Sequence, residues 1–435
     1  MLSVGQKYTL SCDEMNNLGN AVCRIDGVVA FVSGAIIGDI VEAKIDKVTS
    51  AYALASVTKI IEKSPYRTDA ECPLFGECGG CAFGTLDIEK ENEIKQNYVR
   101  GTLNKFGIDA EVAPTVCCSE GRYRNKVVLF YNGEGFGYMK RSSKTVLPHK
   151  DCILNEKILD EIASFVLESV DKTHLLALFM RKSSAIDGDI MVCPIFKRKT
   201  SIKSFAVALQ ARFPRVKSVL SGAFSGREFV LDKCEFENVI GNGYIEDTLC
   251  GLKFEVSPRS FYQVNHDLAE LLYEKAISYL EGDETKTLAD LFCGTGTIGL
   301  IASKRTGAKV YGVEIEHDAV LDARRNASLN GVKDIEFFEG DAKDFDKEVD
   351  ACIIDPPRKG CSDFAIETLL RLSPKKIVYI SCNPDTLARD LKSLGEKYEI
   401  SSPITPFNMF PRTSHIESVV CLTRGFDNEL RERMN

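Results

Sequence analysis

Thr287-Leu288-Ala289-Asp290-Leu291-Phe292-Cys293-Gly294-Thr295-Gly296-Thr297-Ile298-Gly299 decides the fold of this 435-residue chain. A short apolar run ends in three glycines, and a helical pattern follows. Gly294, Gly296 and Gly299 permit a tight turn and a close backbone approach to a ligand. Further runs follow at Lys309–Glu314, Ile335–Phe338, Ala351–Ile354 and Ile377–Ile380, each trailed by helix or loop. Ahead of them, Asp267 to Leu280 reads as a helix with Leu268, Leu271, Leu272, Ala276 and Leu280 along one side. Alternation of this kind predicts a doubly wound α/β sheet over residues 251–435. Glu314 closes the second run, 20 residues after Gly294. An acid there accepts hydrogen bonds from the ribose of an adenosine cofactor.

Two later segments carry chemistry. Asp355-Pro356-Pro357-Arg358 ends the fourth run. Ile380-Ser381-Cys382-Asn383-Pro384 joins the fifth run to a helix predicted over Pro384–Leu394. The positive end of a helix favours a thiolate, so Cys382 is expected to be an activated nucleophile. His415-Ile416-Glu417 adds a candidate base. If Glu417 is buried, its pKa should be raised.

Residues 1–62 hold apolar runs at Lys7–Leu10, Val28–Val32, Asp39–Ile45 and Ala53–Ile61, broken by Asn16-Asn17-Leu18-Gly19, Asp26-Gly27 and Gly34. Short, closely spaced strands predict a small OB-like barrel. The run Asn17-Leu18-Gly19-Asn20-Ala21, then Gly27–Val32 and Gly38-Asp39, resembles a TRAM domain, which implies RNA binding. Residues 63–250 read as a mixed α+β region, with a helix over Leu86–Phe106, a helix around Leu154–Val170, and strands at Lys126–Tyr131 and Ile190–Pro194.

Within that region, Cys72-x5-Cys78-Gly-Gly-Cys81 places three thiols among glycines, a pattern that wraps a metal centre. Cys152 is the expected fourth ligand. Four thiolates suit zinc or an iron–sulfur cluster, and spacing alone favours zinc on prevalence. Adjacent Cys117-Cys118 are a poor chelating pair.

Sixteen cysteines are many for a reducing compartment, where disulfides are rare and metal binding or catalysis explains an excess. Cys250, Cys352 and Cys421 lie in apolar contexts that suit inert core thiols. Hydrophobic and charged fractions of 44% and 27% are those of a globular protein of two or three domains. No apolar run approaches the roughly 18 residues of a membrane helix. The N-terminus shows no signal-peptide pattern, so the expected location is cytoplasmic. Net charge is −8, yet residues 190–226 contain no acid and seven Lys or Arg, and residues 122–150 are also basic. These stretches suit either a nucleic-acid face or a solvated surface.

Taken in order, the TRAM-like start, Cys72/Cys78/Cys81 with Cys152, Ser260-Phe261-Tyr262-Gln263-Val264-Asn265, the glycine loop, Asp355-Pro356-Pro357-Arg358-Lys359-Gly360, Ser381-Cys382-Asn383-Pro384 and His415-Ile416-Glu417 resemble the RNA uracil-5-methyltransferase family along essentially the whole chain. The resemblance is to its iron–sulfur, 23S ribosomal RNA branch. It implies a Rossmann-like class I methyltransferase domain over 251–435, a TRAM barrel over 1–62, and a central domain over 63–250. It implies S-adenosylmethionine as cofactor, with Gln263, Phe292, Glu314, Asp341 and Asp355 in contact with it. Cys382 becomes the nucleophile and Glu417 the base. Cys72, Cys78, Cys81 and Cys152 become ligands of a [4Fe-4S] cluster, in place of zinc. Some relatives carry Asn after the second loop glycine, where this chain has Thr297. The expected partner is RNA, most specifically 23S ribosomal RNA, with no obligatory protein partner. Rival readings are a tRNA uracil-5-methyltransferase and a non-catalytic RNA-binding or assembly factor. A cytosine-5 enzyme places Pro before its cysteine, whereas Ser381 precedes Cys382 here.

Overall fold

The computed structural model describes residues 2–282 and 285–425. The last stretch of the segment read as 251–435 thus lies outside the described residues. Three large sheets follow one another along the described residues, with a two-stranded ribbon of Ile245–Leu249 and Leu252–Val256 between the second and third.

The N-terminal sheet has six strands: Lys7–Ser11, Glu14–Met15, Ala21–Ile25, Val28–Ser33, Ile40–Val48 and Tyr52–Glu62. Two of these lie outside the expected runs. Ala21–Ile25 buries Ala21, Cys23 and Ile25 on alternate positions, a signal that Arg24 and the small residues obscure. The two longest strands pair with three register shifts, which bend the sheet around Val41, Ala43, Ile45 and Ala53.

The central sheet has seven strands, running from Glu235–Ile240 through Val216–Ala223, Ile190–Phe196, Leu175–Lys182, Lys126–Tyr131 and Phe136–Met139 to Val146–Pro148. The helices Lys157–Ser169 and Lys203–Arg212 cover one face with Leu159, Ile162, Val166, Phe205 and Leu209. Many of the basic side chains expected to face nucleic acid are in ion pairs here. Lys144 meets Glu228 at 2.7 Å, Lys199 meets Glu235 at 3.0 Å, and Arg122 meets Asp151 at 2.7 Å.

The third sheet contains the five expected runs, now Thr287–Leu291, Lys309–Glu314, Ile335–Glu339, Ala351–Ile354 and Lys376–Ser381, all mutually parallel. It does not stay parallel to its edge. Glu417–Arg424 runs antiparallel to Lys376–Ser381, and both Tyr398–Ile400 and Thr405–Phe407 pair antiparallel with it. No helix lies between Tyr398 and Arg424, and short connections produce antiparallel neighbours. Chain order reverses direction between Thr287–Leu291 and Ala351–Ile354, and the carboxyl ends there form the crevice where such sheets bind ligands.

The helix Ile88–Lys105, early in the chain, packs against this third sheet's layer. Val99 and Leu103 join Leu387 and Leu391 in one core. Asp87 caps its first turn by accepting from the N–H groups of Glu89 and Lys90. Glu91 and Lys95, one turn apart and both buried, form an ion pair at 2.9 Å. Glu91 also accepts from the Arg412 N–H at 2.9 Å and from Asn408 Nδ2 at 3.0 Å, while Lys95 Nζ donates to Asn408 Oδ1 at 2.6 Å. Arg412 reaches Glu120 at 2.7 Å and donates to the Leu86 carbonyl. Glu91→Gln keeps a hydrogen-bonding group but leaves the buried Lys95 without a carboxylate partner, while Arg412 retains Glu120. A loss of about 3 kcal/mol is expected, as for breaking a buried ion pair from one side. Scanning calorimetry should show an earlier unfolding transition; an unchanged thermogram would refute this role for Glu91.

Candidate active site

The glycine loop is held by its own backbone demands. Phe292, Gly294 and Gly296 all adopt positive φ, at 69°, 53° and 77°. A Cβ at Gly296 would lie 2.7 Å from the Phe337 ring, and one at Gly299 would lie 2.7 Å from Asp290 Oδ2. Asp290 accepts from the Gly299 N–H at 2.9 Å, and its burial raises its pKa to about 7. Glu314 binds the loop from the neighbouring strand: Oε2 accepts from the Gly294 N–H at 2.9 Å, and Oε1 from the N–H groups of Ile315 and Glu316.

Phe292, Glu314 and Asp341 line one open cavity of about 600 Å³ together with Ile315, Gly340, Ala342, Pro357 and Phe364. Asp341 caps a short turn through the Lys343 N–H. Ile315 and Phe364 are each 63% exposed, and the cavity gives these apolar side chains a place to hold a flat ring. The sequence reading passed over both, since neither sits in a recognisable motif.

Gln263 and Asp355 are not in that cavity's lining. The segment Ser260–Asn265 is tied to the central sheet instead, where the Asn125 N–H donates to the Val264 carbonyl at 3.0 Å and Asn125 Nδ2 to that of Gln263 at 3.4 Å. Buried Tyr273 bonds Gln263 and feels the charges of Asp355 and Glu417. Gln263, Asp355 and Glu417 thus gather around one phenol.

Cys382 follows strand Lys376–Ser381 directly. That strand pairs Ile380 with Val419 and Ser381 with Ser418 across the antiparallel ladder. Continued by one residue, the register sets Cys382 opposite Glu417. Asn383 caps the following helix through the Asp385 N–H and donates to the Arg358 carbonyl at 3.2 Å, which draws the Asp355–Arg358 turn alongside. Asn265, which caps the helix His266–Ser278, donates to the Met409 carbonyl at 3.1 Å and so anchors the loop that leads to Glu417.

The expected activation of Cys382 by its helix is not what the structure shows. Burial, then the nearby Glu417 and Asp355 carboxylates, push its thiol up to about 12, with Arg358 and a backbone hydrogen bond opposing. Desolvation and two negative neighbours outweigh the half-charge of a helix terminus, worth about 0.3–1 kcal/mol at ordinary exposure. Glu417 is buried, at 6% exposure, and burial with Asp355 alongside holds its pKa well above the carboxylate range, as expected. Asp355 itself is raised to about 7 by desolvation.

Cys72, Cys78, Cys81 and Cys152 line another cavity, of about 870 Å³, with Arg124, Tyr138 and His149. Burial first, then the charges of Cys152, Cys78 and Cys72, push the Cys81 thiol up to about 12, while Arg124 lowers it. Among the described residues no three Cys, His, Asp or Glu side chains gather closely enough to hold one metal ion.

Comparison with known proteins accords with this arrangement. A tRNA (uracil-5-)-methyltransferase family model matches residues 341–425, a methyltransferase small domain matches 261–376, and a TRAM domain matches 2–58. Uncharacterized RNA methyltransferases of Bacillus cereus and Halalkalibacterium halodurans are each 33% identical to the chain, over 95% of it and 95% and 96% of their own lengths. The chain belongs to the RNA uracil-5-methyltransferase family. Members use S-adenosylmethionine, and a solved relative shows the site filled by its demethylated product. That structure, the Pyrococcus abyssi tRNA (uracil-54, C5)-methyltransferase with S-adenosyl-L-homocysteine, is 25% identical with a TM-score of 0.76, covering 96% of this chain and all of that one. The family's N-terminal TRAM domain and class I α/β fold are both present in this uracil-5-methyltransferase. Among the described residues no helix is long and apolar enough to cross a membrane.

A thiol pushed up to about 12 keeps its proton at neutral pH, so raising the pH increases the thiolate form of Cys382. Alkylation of Cys382 by a small haloacetamide, read on its peptide by mass spectrometry, should therefore accelerate from neutral to alkaline pH. Asp355→Asn removes a negative neighbour, lowers the thiol's pKa, and should move that profile to lower pH. A profile that stays in place would contradict the assigned electrostatics.

Proposed function

We propose that this uracil-5-methyltransferase modifies 23S ribosomal RNA, with Cys382 as nucleophile and Glu417 as base. The observation that carries the roles is the ladder register that sets Cys382 opposite Glu417 beside Asp355. In this reading Phe292, Glu314 and Asp341 hold the adenosine part of the cofactor, and Gln263 and Asp355 face its reactive end. S-adenosylmethionine, when bound, supplies an electrophilic methyl group.

Uracil C5 is a weak nucleophile. The Cys382 thiol loses its proton to water and its sulfur bonds to C6; the C5–C6 π pair becomes a C4–C5 double bond and the C4–O4 π pair moves onto O4 as an enolate. The returning electrons let C5 take the methyl. Glu417 then removes the hydrogen on C5, the pair left behind re-forms the C5–C6 double bond, and the C6–S bond breaks to free Cys382. Its raised pKa makes Glu417 a stronger base once ionised than an exposed carboxylate would be. The target uridine must leave its stack to reach this buried pair.

The segments 1–62, 63–250 and 251–435 divide this work among RNA binding, the four-cysteine site and catalysis. A cavity of about 600 Å³ supports an RNA path between them, because Phe31 and Leu54 of the N-terminal sheet, Arg141 and Ser414 all line it.

The choice of 23S RNA rests on Cys72, Cys78, Cys81 and Cys152 as [4Fe-4S] ligands. Four thiols on one cavity provide the donor set. A zinc ion would need them around one point at about 2.3 Å. When bound, the cluster would cross-link the Cys72–Cys81 loop to the turn at Cys152. A tRNA substrate is the second reading, because the Pyrococcus abyssi relative is a tRNA (uracil-54, C5)-methyltransferase.

Two experiments separate these claims. Cys382→Ala should abolish methyl transfer to RNA, and Glu417→Gln should accumulate a covalent RNA–protein adduct on denaturing gels. Release of methylated RNA at the normal rate by Glu417→Gln would overturn the base. Mass mapping of 5-methyluridine in cells lacking the gene should show loss from 23S RNA; loss confined to tRNA would overturn the ribosomal assignment.

A further inference from the structure

One buried cation has no acid to answer it. Arg124 lines the four-cysteine cavity, and its Nε is buried with no hydrogen-bond partner. The groups that act on its charge are Tyr138, Tyr123 and Cys152, none of them a carboxylate. Its backbone is fixed against the cysteine turn: the Arg124 N–H donates to the Leu154 carbonyl at 2.9 Å, and its carbonyl accepts from the Glu156 N–H at 3.1 Å. An unpaired guanidinium beside thiols is costly unless those thiols carry negative charge.

His149 repeats the pattern on the same cavity. Both ring nitrogens are buried without partners. Its ring stacks on Tyr138, with centroids 5.0 Å apart and planes at 28°, and Tyr138 in turn donates to Asn155 at 2.8 Å. A neutral imidazole carries one N–H donor, and this one has no acceptor among the described residues.

We propose that Arg124 and His149 form the charge- and hydrogen-bonding shell of the thiolate-ligated cluster: Arg124 as its counter-cation, His149 as a donor to its sulfur. The inference rests on the cluster reading above. Four thiolates around a [4Fe-4S] core leave it anionic, and reduction adds one more negative charge. A fixed cation and a donor both stabilise the more negative state, so they raise the reduction potential. Arg124 also connects the centre to the catalytic loop. Its charge acts on Tyr123, whose hydroxyl donates to the Pro411 carbonyl at 3.1 Å. The Cys81 loop binds the same loop directly, where the Ala82 N–H donates to the Arg412 carbonyl at 2.7 Å.

The test is anaerobic purification of the full chain, with iron and sulfide analysis and a potential titration followed by electron paramagnetic resonance. Wild type should carry a reducible cluster. Arg124→Gln and His149→Leu should each titrate at a more negative potential than wild type, and Arg124→Lys should stay near it. A loaded wild type whose potential neither Arg124→Gln nor His149→Leu moves would overturn the inference and leave the cluster reading intact. A wild type that binds no iron–sulfur cluster would overturn the reading and the inference together. If Arg124→Gln fails to fold, His149→Leu decides alone: a negative shift supports the shell, and an unmoved potential overturns it.

Discussion

Glu91 is the point on which the arrangement of this molecule depends. It sits on an early helix, yet it neutralises Lys95 and accepts from the Arg412 backbone more than three hundred residues later. A carboxylate buried between two cations is tolerated only with good geometry and satisfied lone pairs, and both conditions are met. The loop from Asn408 to Arg412 is thereby fastened to the helix Ile88–Lys105, and the same loop runs on to Glu417. Arg412 adopts a positive φ of 70°, a strained state that its hydrogen bonds to Leu86, Glu91 and Glu120 over-determine. Glu417 is held in place from outside the sheet that carries it.

Within that sheet, one antiparallel ladder does what a fully parallel one would not. Parallel neighbours leave their carboxyl ends side by side, as Leu291, Glu314 and Ile354 do around the cofactor crevice. The reversed strand Glu417–Arg424 brings its amino end to that same edge and sets Glu417 across from Cys382. Cys382 and Glu417, the proposed nucleophile and base, therefore lie at the end of one strand and the start of its antiparallel neighbour. The same closeness explains why the thiol is not ionised by its helix. Each negative group in this small, dry site raises the proton affinity of the others.

Much of the fold was legible in the sequence. The runs Thr287–Leu291, Lys309–Glu314 and Ala351–Ile354, and the helix Pro384–Leu394, match the structure residue for residue. Parallel strands are buried on both faces, so they appear as unbroken apolar runs between helical stretches. The strand Ala21–Ile25 and the antiparallel edge were not legible. The first is short, and its small residues and Arg24 blur the apolar alternation; the second depends on which neighbour a strand chooses. In the site, Glu417, the glycine loop and Glu314 stood out by motif. Tyr273, Ile315, Phe364 and the Glu91–Lys95–Arg412 cluster did not, because a buried charge looks like a surface charge until its partner is known.

By itself the sequence determined the order of elements, the glycine geometry at Gly294, Gly296 and Gly299, and the residue types available for thiol, acid and metal-ligand chemistry. These follow from local rules: hydrophobic period, turn preference and side-chain inventory. Only the tertiary structure decided that Cys382 lies opposite Glu417 in the ladder register, that its thiol is pushed up, and that Arg124 and His149, with buried unpartnered nitrogens, line one cavity with four cysteines. The physical reason is common to all three. Proton affinity and charge pairing depend on distance and on exclusion of water, and both are set by segments far apart in the chain.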